Sequence, residues 1–325
     1  MIPTSSTTAE PDFVLAIDFG GTKVAVAVAD LKGRILEQTE LPTEASAGAE
    51  AAVRRTLAVA GALIANQVEM RGGECVAVGA VSPGIVLVDR VLLAPNLPGW
   101  EKLSLPDLLR NGLRVDHVMV GTDVKWAAVA EAKWGSLRNS DPAVFISFGT
   151  GMGAAVVIGG RVRSGAHGAA GEIGYNLRGI QDECGIAAGH APLEEFAGGR
   201  AIGERGSRVM GRNLSAADVF ASTDVRARSI VDEALAELSV HVANIAILVD
   251  PERIAVGGGL MSSADRVLGH LSRRLKMAVP FPPEVVPARF IHDGALRGAA
   301  VLALEAAAAS PPSSLTAMET FGLAK

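Results

Sequence analysis

The stretch "FVLAIDFGGTKVAVAVADLKGRILEQTELPT", residues 13–43, decides how the chain is read. An apolar run carrying a single acid, Asp18, ends at Gly20-Gly21-Thr22. Residues 24–30 then alternate valine and alanine up to Asp30, Leu31-Lys32-Gly33 turns the chain, and residues 34–41 supply a third extended run. Short apolar runs bounded by glycine turns read as strands, so the stretch predicts strand, tight turn, strand, turn, strand. The same order returns at "AVFISFGTGMGAAVVIGGRVR", residues 143–163, with a second turn at Gly159-Gly160. Two halves therefore open alike, without a repeat of fixed period. This predicts two α/β domains with mixed sheets and a cleft between them.

Outward from these stretches the pattern continues. Residues 46–70 read as an amphipathic helix, residues 74–86 as a buried strand broken at Ser82-Pro83-Gly84, and residues 95–100 as a loop. A short helix over 104–113 and a strand over 117–123 lead into "GTDVKWAAVAEAKWG", residues 121–135. There Trp126, Ala127, Val129, Ala130 and Trp134 recur at helical spacing and predict a buried helix. Asp123 stands just before it, where its carboxylate can accept the free N–H groups of the first turn, so the local reading is an N-cap. Further on come a long helix over about 224–248, a strand in "RIAVGGGL" at 253–260, and a helix capped by Ser262 or Ser263. A strand and a final helix follow within "ARFIHDGALRGAAVLALEAA", residues 288–307. The expected division is an N-terminal α/β domain over 13–122 and a C-terminal one over 123–308. The last helix, about 294–308, is expected to pack back on the first domain. Residues 1–12 and 309–325, the latter proline-bearing and without periodicity, are expected to be loose.

Composition bounds the function. The 325 residues are 49% hydrophobic and 20% charged, which suits a soluble protein with a large core. A net charge of −5 leaves no basic footprint for nucleic acid and no polybasic membrane patch. Two cysteines, Cys75 and Cys184, make no disulfide framework and fit a reducing compartment. The first dozen residues lack the regions of a secretory signal, and no apolar run is long enough to span a bilayer. The expectation is a cytoplasmic protein without nucleic-acid or membrane partners.

Three glycine turns are candidates for phosphate contact: Gly20-Gly21-Thr22, Gly149-Thr150-Gly151-Met152-Gly153 and Gly257-Gly258-Gly259. Glycine lets backbone N–H groups approach an anion closely, although hairpins use glycine for their own geometry too. No G-x-x-x-x-G-K-[ST] motif occurs, and the Gly149 turn is followed by an alternating strand where a dinucleotide fingerprint needs a helix. Phosphate would then be held by two hairpin turns, with the third turn near base and ribose. Asp18, at the end of the first strand, can either bond its own turn or hold Mg²⁺ through water.

Together these segments resemble the ROK family of sugar kinases, glucokinase-like members of the hexokinase/actin-like ATPase (ribonuclease H-like) fold. "IDFGGTK", with Lys23 at its end, is similar to that family's first phosphate loop, "SFGTGMGAA" to its second and "IAVGGGL" to its adenosine motif. The match runs in order from about residue 14 to 305. The resemblance implies ATP and Mg²⁺ as cofactors, a small-molecule sugar substrate and a homodimer. It also turns the reading of Asp123 toward chemistry, as the base that accepts the proton of an attacking sugar hydroxyl. "AAGEIGYNLRG" and "PLEEFAGGRAI" are similar to the sugar-binding stretches, which assigns Glu172 and Glu194 to sugar hydroxyls, with Glu195 as the alternative. Gly84 and Asn96 are expected to line the other side of the sugar.

The pattern also breaks. Most family members carry a zinc site of one histidine and three cysteines, and the matching positions here are Tyr175, Gly185, Ala187 and Pro192, which cannot ligate zinc in the ordinary way. Cys184, His190 and His167 lie nearby at no standard spacing, so no structural zinc is expected. Around the base the family has Asn-Asp-x-Asn where this chain has Thr122-Asp123-Val124-Lys125. Thr122 and Tyr175 therefore replace two groups that touch the sugar, which implies a pocket retuned for another hexose, an amino sugar such as kanosamine, or a cyclitol. Lys125 either faces the site or reaches solvent. The reaction expected is phosphoryl transfer from ATP, to the 6-OH by family analogy, in a closed cleft that excludes water. The rivals are a sugar sensor and a catalytically weak relative that binds sugar without turnover. Only a dozen residues precede the first loop, so no DNA-binding module is expected there.

Overall fold

The computed structural model describes residues 11–87, 90–94 and 96–309. Most of the two ends expected to be loose, 1–12 and 309–325, lies outside the described residues. The chain divides into two compact units. One takes the chain up to Gly84, the segment Val88–Gly121 and the chain from Ala299 onward; the other takes Ile85–Leu87 and Thr122–Gly298.

In the first unit the opening stretch folds as β1 (Phe13–Phe19), β2 (Lys23–Asp30) and β3 (Ile35–Pro42), followed by α1 (Ala49–Arg71) and β4 (Cys75–Ser82). The two-residue strands β5 (Ile85–Val86) and β6 (Val91–Leu92) come next, the former counted with the second unit, and then α2 (Leu105–Leu113) and β7 (Val118–Thr122). The sheet order is β3-β2-β1-β4-β7. β1 runs antiparallel to β2, with Ile17 opposite Val26, and parallel to β4. Paired on both edges and covered on both faces, β1 buries Phe13 to Ile17 completely. Phe13, Val14, Leu15 and Ile17 each contribute about 1.5–3 kcal/mol by leaving water. That is why the run is continuous rather than alternating. Trp100 packs edge-on against Phe19 at 5.1 Å and donates its indole N–H to the Ser82 hydroxyl at 2.7 Å, so the polar end of β4 is satisfied. Gly79 lets β4 meet the chain's last helix, Gly294–Ala308: a Cβ there would stand 2.1 Å from the Ala299 carbonyl oxygen.

The second unit repeats the arrangement. α3 (Asp123–Trp134) leads to β8 (Ala143–Phe148), β9 (Met152–Ile158) and β10 (Arg161–Val162). Then come α4 (Glu194–Ala197), α5 (Gly199–Met210), α6 (Ala216–Ala221), α7 (Val225–Val249), β11 (Arg253–Gly257), α8 (Ala264–Ala278), β12 (Glu284–Pro287) and α9 (Gly294–Ala308), the last counted with the first unit from Ala299 onward. The sheet order is β10-β9-β8-β11-β12, which matches the first sheet position for position. β8 is antiparallel to β9 and parallel to β11, and β11 is parallel to β12. One core, under α7 and α8, joins Val144, Ile146, Phe148, Leu235, Leu238 and Leu271; a second, on the α3 side, joins Ala127, Ala128, Phe145 and Val157.

Three local expectations need correction. The N-cap position of α3 is held by Thr122, in extended backbone, and Asp123 is the first helical residue. Ser263 occupies the N-cap of α8, yet its side chain makes no capping bond. The strand expected at the start of "ARFIHD" lies earlier, at Glu284–Pro287, because pairing of Arg253 with Glu284 through Val256 with Pro287 sets the register. β12 is an edge strand, where a terminal proline is tolerated. Among the described residues no helix is long and apolar enough to cross a membrane.

Candidate active site

Five of the residues singled out in the sequence meet in the second unit. Asp123 opens α3, half-buried, and its Oδ1 accepts the Val124 N–H at 2.7 Å. Burial pushes its carboxyl upward, opposed by that N–H and by the charge of Lys125. Lys125, two residues on, is buried rather than solvated, at 4% exposure. Its ammonium donates to the Gly168 carbonyl and stands 3.8 Å from Glu172 Oε1. Burial lowers the Lys125 pKa, and the charges of Glu172 and Asp123 pull the other way. Glu172 is pushed up to about 7, first by burial and then by the charges of Asp123 and Glu194, with Lys125 opposing. Tyr175 faces the same group: burial and the charges of Glu172 and Glu194 raise its phenol.

Glu194 joins this cluster to the second glycine hairpin. From the first turn of α4 its Oε2 accepts the Met152 N–H at 2.9 Å. A Cβ at Gly151 would stand 2.4 Å from that oxygen, so the hairpin needs glycine for the carboxylate to seat. Glu195 turns away. It accepts the Ala191 N–H at 3.0 Å and lies 3.4 Å from His190 at the surface. α3 touches the same hairpin, since a Cβ at Gly153 would meet Val124 Cγ2 at 3.1 Å.

On its other flank the hairpin borders a cavity of about 640 Å³, within the ordinary range for small-ligand pockets. Gly149, Thr150, Gly199, Arg200, Gly203, Asn213, Ser215 and Gly259 line it. The wall is tied to the turn by Gly199 N–H to Gly149 carbonyl at 2.9 Å and Arg200 N–H to Thr150 carbonyl at 3.1 Å. Of the three glycines after β11, Gly257 and Gly258 are explained by close approach to β8. A Cβ at Gly257 would meet the Phe145 ring at 2.9 Å, and Gly258 has φ of 97° with the Phe148 carbonyl 2.5 Å from its Cβ position. Gly259 instead faces the cavity, beside Gly149.

In the first unit, Asp18 lies at the penultimate position of β1, paired in register with Ala25. Gly20, Gly21, Thr22 and Lys23 form the turn to β2, with the Gly20 N–H bonded to the Lys23 carbonyl at 3.0 Å. Asn96 packs on this turn, 2.9 Å from where a Cβ of Gly21 would be. Gly84 has a left-handed φ of 91° and closes on the Leu92 carbonyl.

Two groups escaped the sequence reading. The cavity wall over 199–217 was not singled out, although Ser215 and Asp218 stand at capping-box spacing and form that box at the head of α6. The burial of Lys125 has no local signal, because it depends on Gly168 and Glu172 arriving from more than forty residues away.

The model of the ROK family matches residues 14–306. The chain belongs to the ROK family. It is 31% identical to a glucokinase of Streptomyces coelicolor over 322 residues, covering 90% of this chain and 97% of the relative. It is equally 31% identical to an N-acetylmannosamine kinase of Escherichia coli O1:K1 over 300 residues, covering 89% and 97%. A ROK glucokinase from Streptomyces griseus, crystallised with glucose and AMPPNP, superposes with a TM-score of 0.76 at 26% identity over 90% of this chain and 99% of that one. The actin-like ATPase class of α/β fold expected from the sequence is thus the fold of this chain.

Of the four positions matched to a zinc site by the resemblance, Tyr175 feels the charges of Glu172 and Glu194, Gly185 starts a short 3-10 turn, Ala187 lies within that turn, and Pro192 stands just before Leu193, whose side chain is fully buried. Among the described residues no three His, Cys, Asp or Glu side chains are grouped to hold a metal ion.

Proposed function

We propose that this ROK protein is an ATP-dependent sugar kinase that phosphorylates a hydroxyl of a hexose or hexose-like ring, with Asp123 as the base. The observation that carries the reading is the continuity of the second unit's site. One hairpin, Gly149–Gly153, seats Glu194, packs against the first turn of the Asp123 helix, and edges a cavity of nucleoside size. The names of the relatives, a glucokinase and an N-acetylmannosamine kinase, support the substrate class.

The residues fit a nucleotide. Gly149 and Gly259 offer backbone without side chains at the cavity edge, and Arg200, Asn213 and Ser215 give polar groups along its wall. ATP would supply the γ-phosphoryl group when bound, and Mg²⁺ would neutralise its charge. The turn residues Gly20, Gly21, Thr22 and Lys23 and the turn Gly149, Thr150, Gly151 and Gly153 would hold the phosphates. Asp18 would hold the Mg²⁺ through water, as a hard carboxylate ligand. Gly259 would bound the adenosine, with Gly257 and Gly258, packed on β8, setting the turn behind it.

Asp123 is suited to take a proton. Desolvation raises its pKa, which brings a carboxylate closer to the operating pH and makes it a stronger base. Its bond to the Val124 N–H fixes one oxygen, leaving Oδ2 as the oxygen assigned to the substrate hydroxyl. Glu172 and Glu194 would accept sugar hydroxyls, with Tyr175, Thr122, Asn96 and the backbone at Gly84 shaping the rest. The family resemblance adds a homodimer, the 6-OH as acceptor and a cytoplasmic protein; sedimentation and product NMR would check the first two.

The test is ADP release over a panel of hexoses, amino hexoses such as kanosamine, N-acetyl hexosamines and cyclitols. Turnover with at least one is expected. Sugar binding without turnover across the panel would overturn the kinase reading in favour of a weak or inactive sugar-binding relative. Asp123→Asn should reduce turnover by about 10²–10⁴-fold while sugar affinity stays within about tenfold. A variant turning over at the wild-type rate would remove Asp123 from the base role.

A further inference from the structure

We propose that Lys125 is a positioning residue whose buried ammonium holds the Glu172 carboxylate, and the loop leading to it, in the arrangement that receives the sugar. The inference rests on the kinase reading for its consequence, though not for its geometry. A lysine is almost never fully buried unless paired, and Lys125 is 4% exposed. Its partners both lie on the loop between β10 and Tyr175: the Gly168 carbonyl, which it bonds, and Glu172 Oε1 at 3.8 Å. The same loop is also tied to β9, through the Ala154 N–H to the Gly171 carbonyl at 2.7 Å. Lys125 thus clamps the segment just before the sugar-binding carboxylate against the sheet, from the helix that carries the base.

The charges around Glu172 give the clamp a second effect. Asp123 and Lys125 face it from α3, Glu194 from α4, and Tyr175 from the turn that follows it. Lys125 is the one cation among these four. With it, Glu172 is held at about 7; without it, the burial and the two neighbouring carboxylates act unopposed. A carboxylate accepts two sugar hydroxyls, whereas the protonated acid must donate through one of its oxygens. Lys125 therefore sets which form of Glu172 meets the sugar at neutral pH. A cation suits this position because three half-buried acids, Asp123, Glu172 and Glu194, share one site.

The experiment is a titration of the Glu172 side chain by carboxyl ¹³C NMR in the full chain, its signal assigned by its loss in Glu172→Gln. Wild type is compared with Lys125→Gln, Lys125→Met and Lys125→Arg. Removing the charge should raise the Glu172 midpoint by about one to three pH units, and Lys125→Arg should stay within about half a unit of wild type. In parallel, Lys125→Gln should raise the sugar KM at pH 7 about tenfold and recover toward pH 9, with kcat within about threefold. An unmoved midpoint in both uncharged variants, or an equal shift in Lys125→Arg, overturns the proposal. So does failure of both uncharged variants to fold, since Lys125 would then be a structural residue. The NMR readout needs no turnover, so loss of the kinase reading and loss of this one are told apart.

Discussion

In the hairpin between β1 and β2, Gly20 bonds back to Lys23 within its own turn, Thr43 donates to the Gly20 carbonyl at 2.6 Å, and Asn96 packs on Gly21. In the hairpin between β8 and β9, the Gly149 N–H likewise bonds back to the Gly151 carbonyl at 3.0 Å, but the Gly149 and Thr150 carbonyls also bond out to Gly199 and Arg200, Met152 bonds to the Glu194 carboxylate, and Gly153 meets Val124 of the α3 helix. Both turns join two antiparallel strands at the centre of sheets with the same order. Their glycines look alike in sequence, yet the first turn is braced by neighbouring loops of its unit, while the second is the junction of a carboxylate cluster and a cavity. The difference teaches that a glycine turn becomes part of a site through what its backbone is tied to.

The sharpest break of this comparison is Gly151→Ala. Its Cβ would stand 2.4 Å from Glu194 Oε2 and would push that carboxylate off the Met152 N–H. A displacement of about 1 Å among positioned groups can cost about 10²-fold in rate. We expect kcat/KM for sugar to fall by about that factor, while Gly20→Ala, whose Cβ meets only the Lys23 carbonyl, lowers the melting temperature and raises the KM for ATP rather than for sugar. Steady-state kinetics with thermal melts on both variants check this. Equal losses of activity without a difference in melting would erase the distinction between the turns.

The next effect is on pH and stability, and it tests the cluster that only the second hairpin serves. The folded Glu172 pKa of about 7 lies above its ordinary 4.5. The folded state therefore holds the proton more tightly than the unfolded one, and this contribution is present below pH 4.5 and lost as pH rises through 7. At 1.36 kcal/mol per unit the 2.5-unit gap (7 − 4.5) has a ceiling of about 3 kcal/mol, and residual solvent access brings the expectation to about 2 kcal/mol. Glu172→Gln should gain about that much stability relative to wild type between pH 4.5 and 8. Denaturant titrations at several pH values measure it, and a flat difference would mean that Glu172 is not desolvated.

Much of this architecture was legible. Both hairpins, the order of the elements and the position of Asp123 follow from apolar runs, glycine turns and helical spacing, which are local signals. What was not legible depends on distant partners. Whether Lys125 faces the site or solvent is decided only by the Gly168 carbonyl and Glu172, which enclose it. Glu131, in the middle of α3, is fully buried because its carboxylate accepts the N–H groups of Ser136 and Phe290 at 2.6 and 2.7 Å. Thr122 rather than Asp123 is the helix cap, since the strand β7 runs extended through Thr122. The misplaced strand near Ala288 shows the same limit: "PEVVPARF" has too little periodicity for its pairing with β11 to be read without the register.

Glu194 and Glu195 offer a narrower test of which acid belongs to the site. Glu194→Gln keeps the size and one acceptor oxygen but removes the charge that Glu172 and Tyr175 feel. A hydrogen bond to a charged group is worth about 1.5–3 kcal/mol, so the sugar KM should rise about tenfold or more. Glu195→Gln, whose carboxylate lies at the surface beside His190, should stay within about twofold. The reverse ranking would move the sugar contact to Glu195 and detach the second hairpin from the substrate.

The smallest expected effect returns to the first hairpin. Lys23 ends the turn and pairs with Glu40 at 2.6 Å across β2 and β3, both side chains more than half exposed. Exposed pairs of this kind contribute about 0–1 kcal/mol, because solvent screens the attraction and holding two long side chains costs entropy. Lys23→Ala should therefore lower stability by less than about 1 kcal/mol, with Thr43 and Asn96 still bracing the turn. If Lys23 holds phosphate in addition, the same variant raises the KM for ATP with stability intact, so one protein separates the two roles. A stability loss above about 2 kcal/mol would mean that the first turn depends on a long-range tie of its own, and the contrast with the second would then be one of degree.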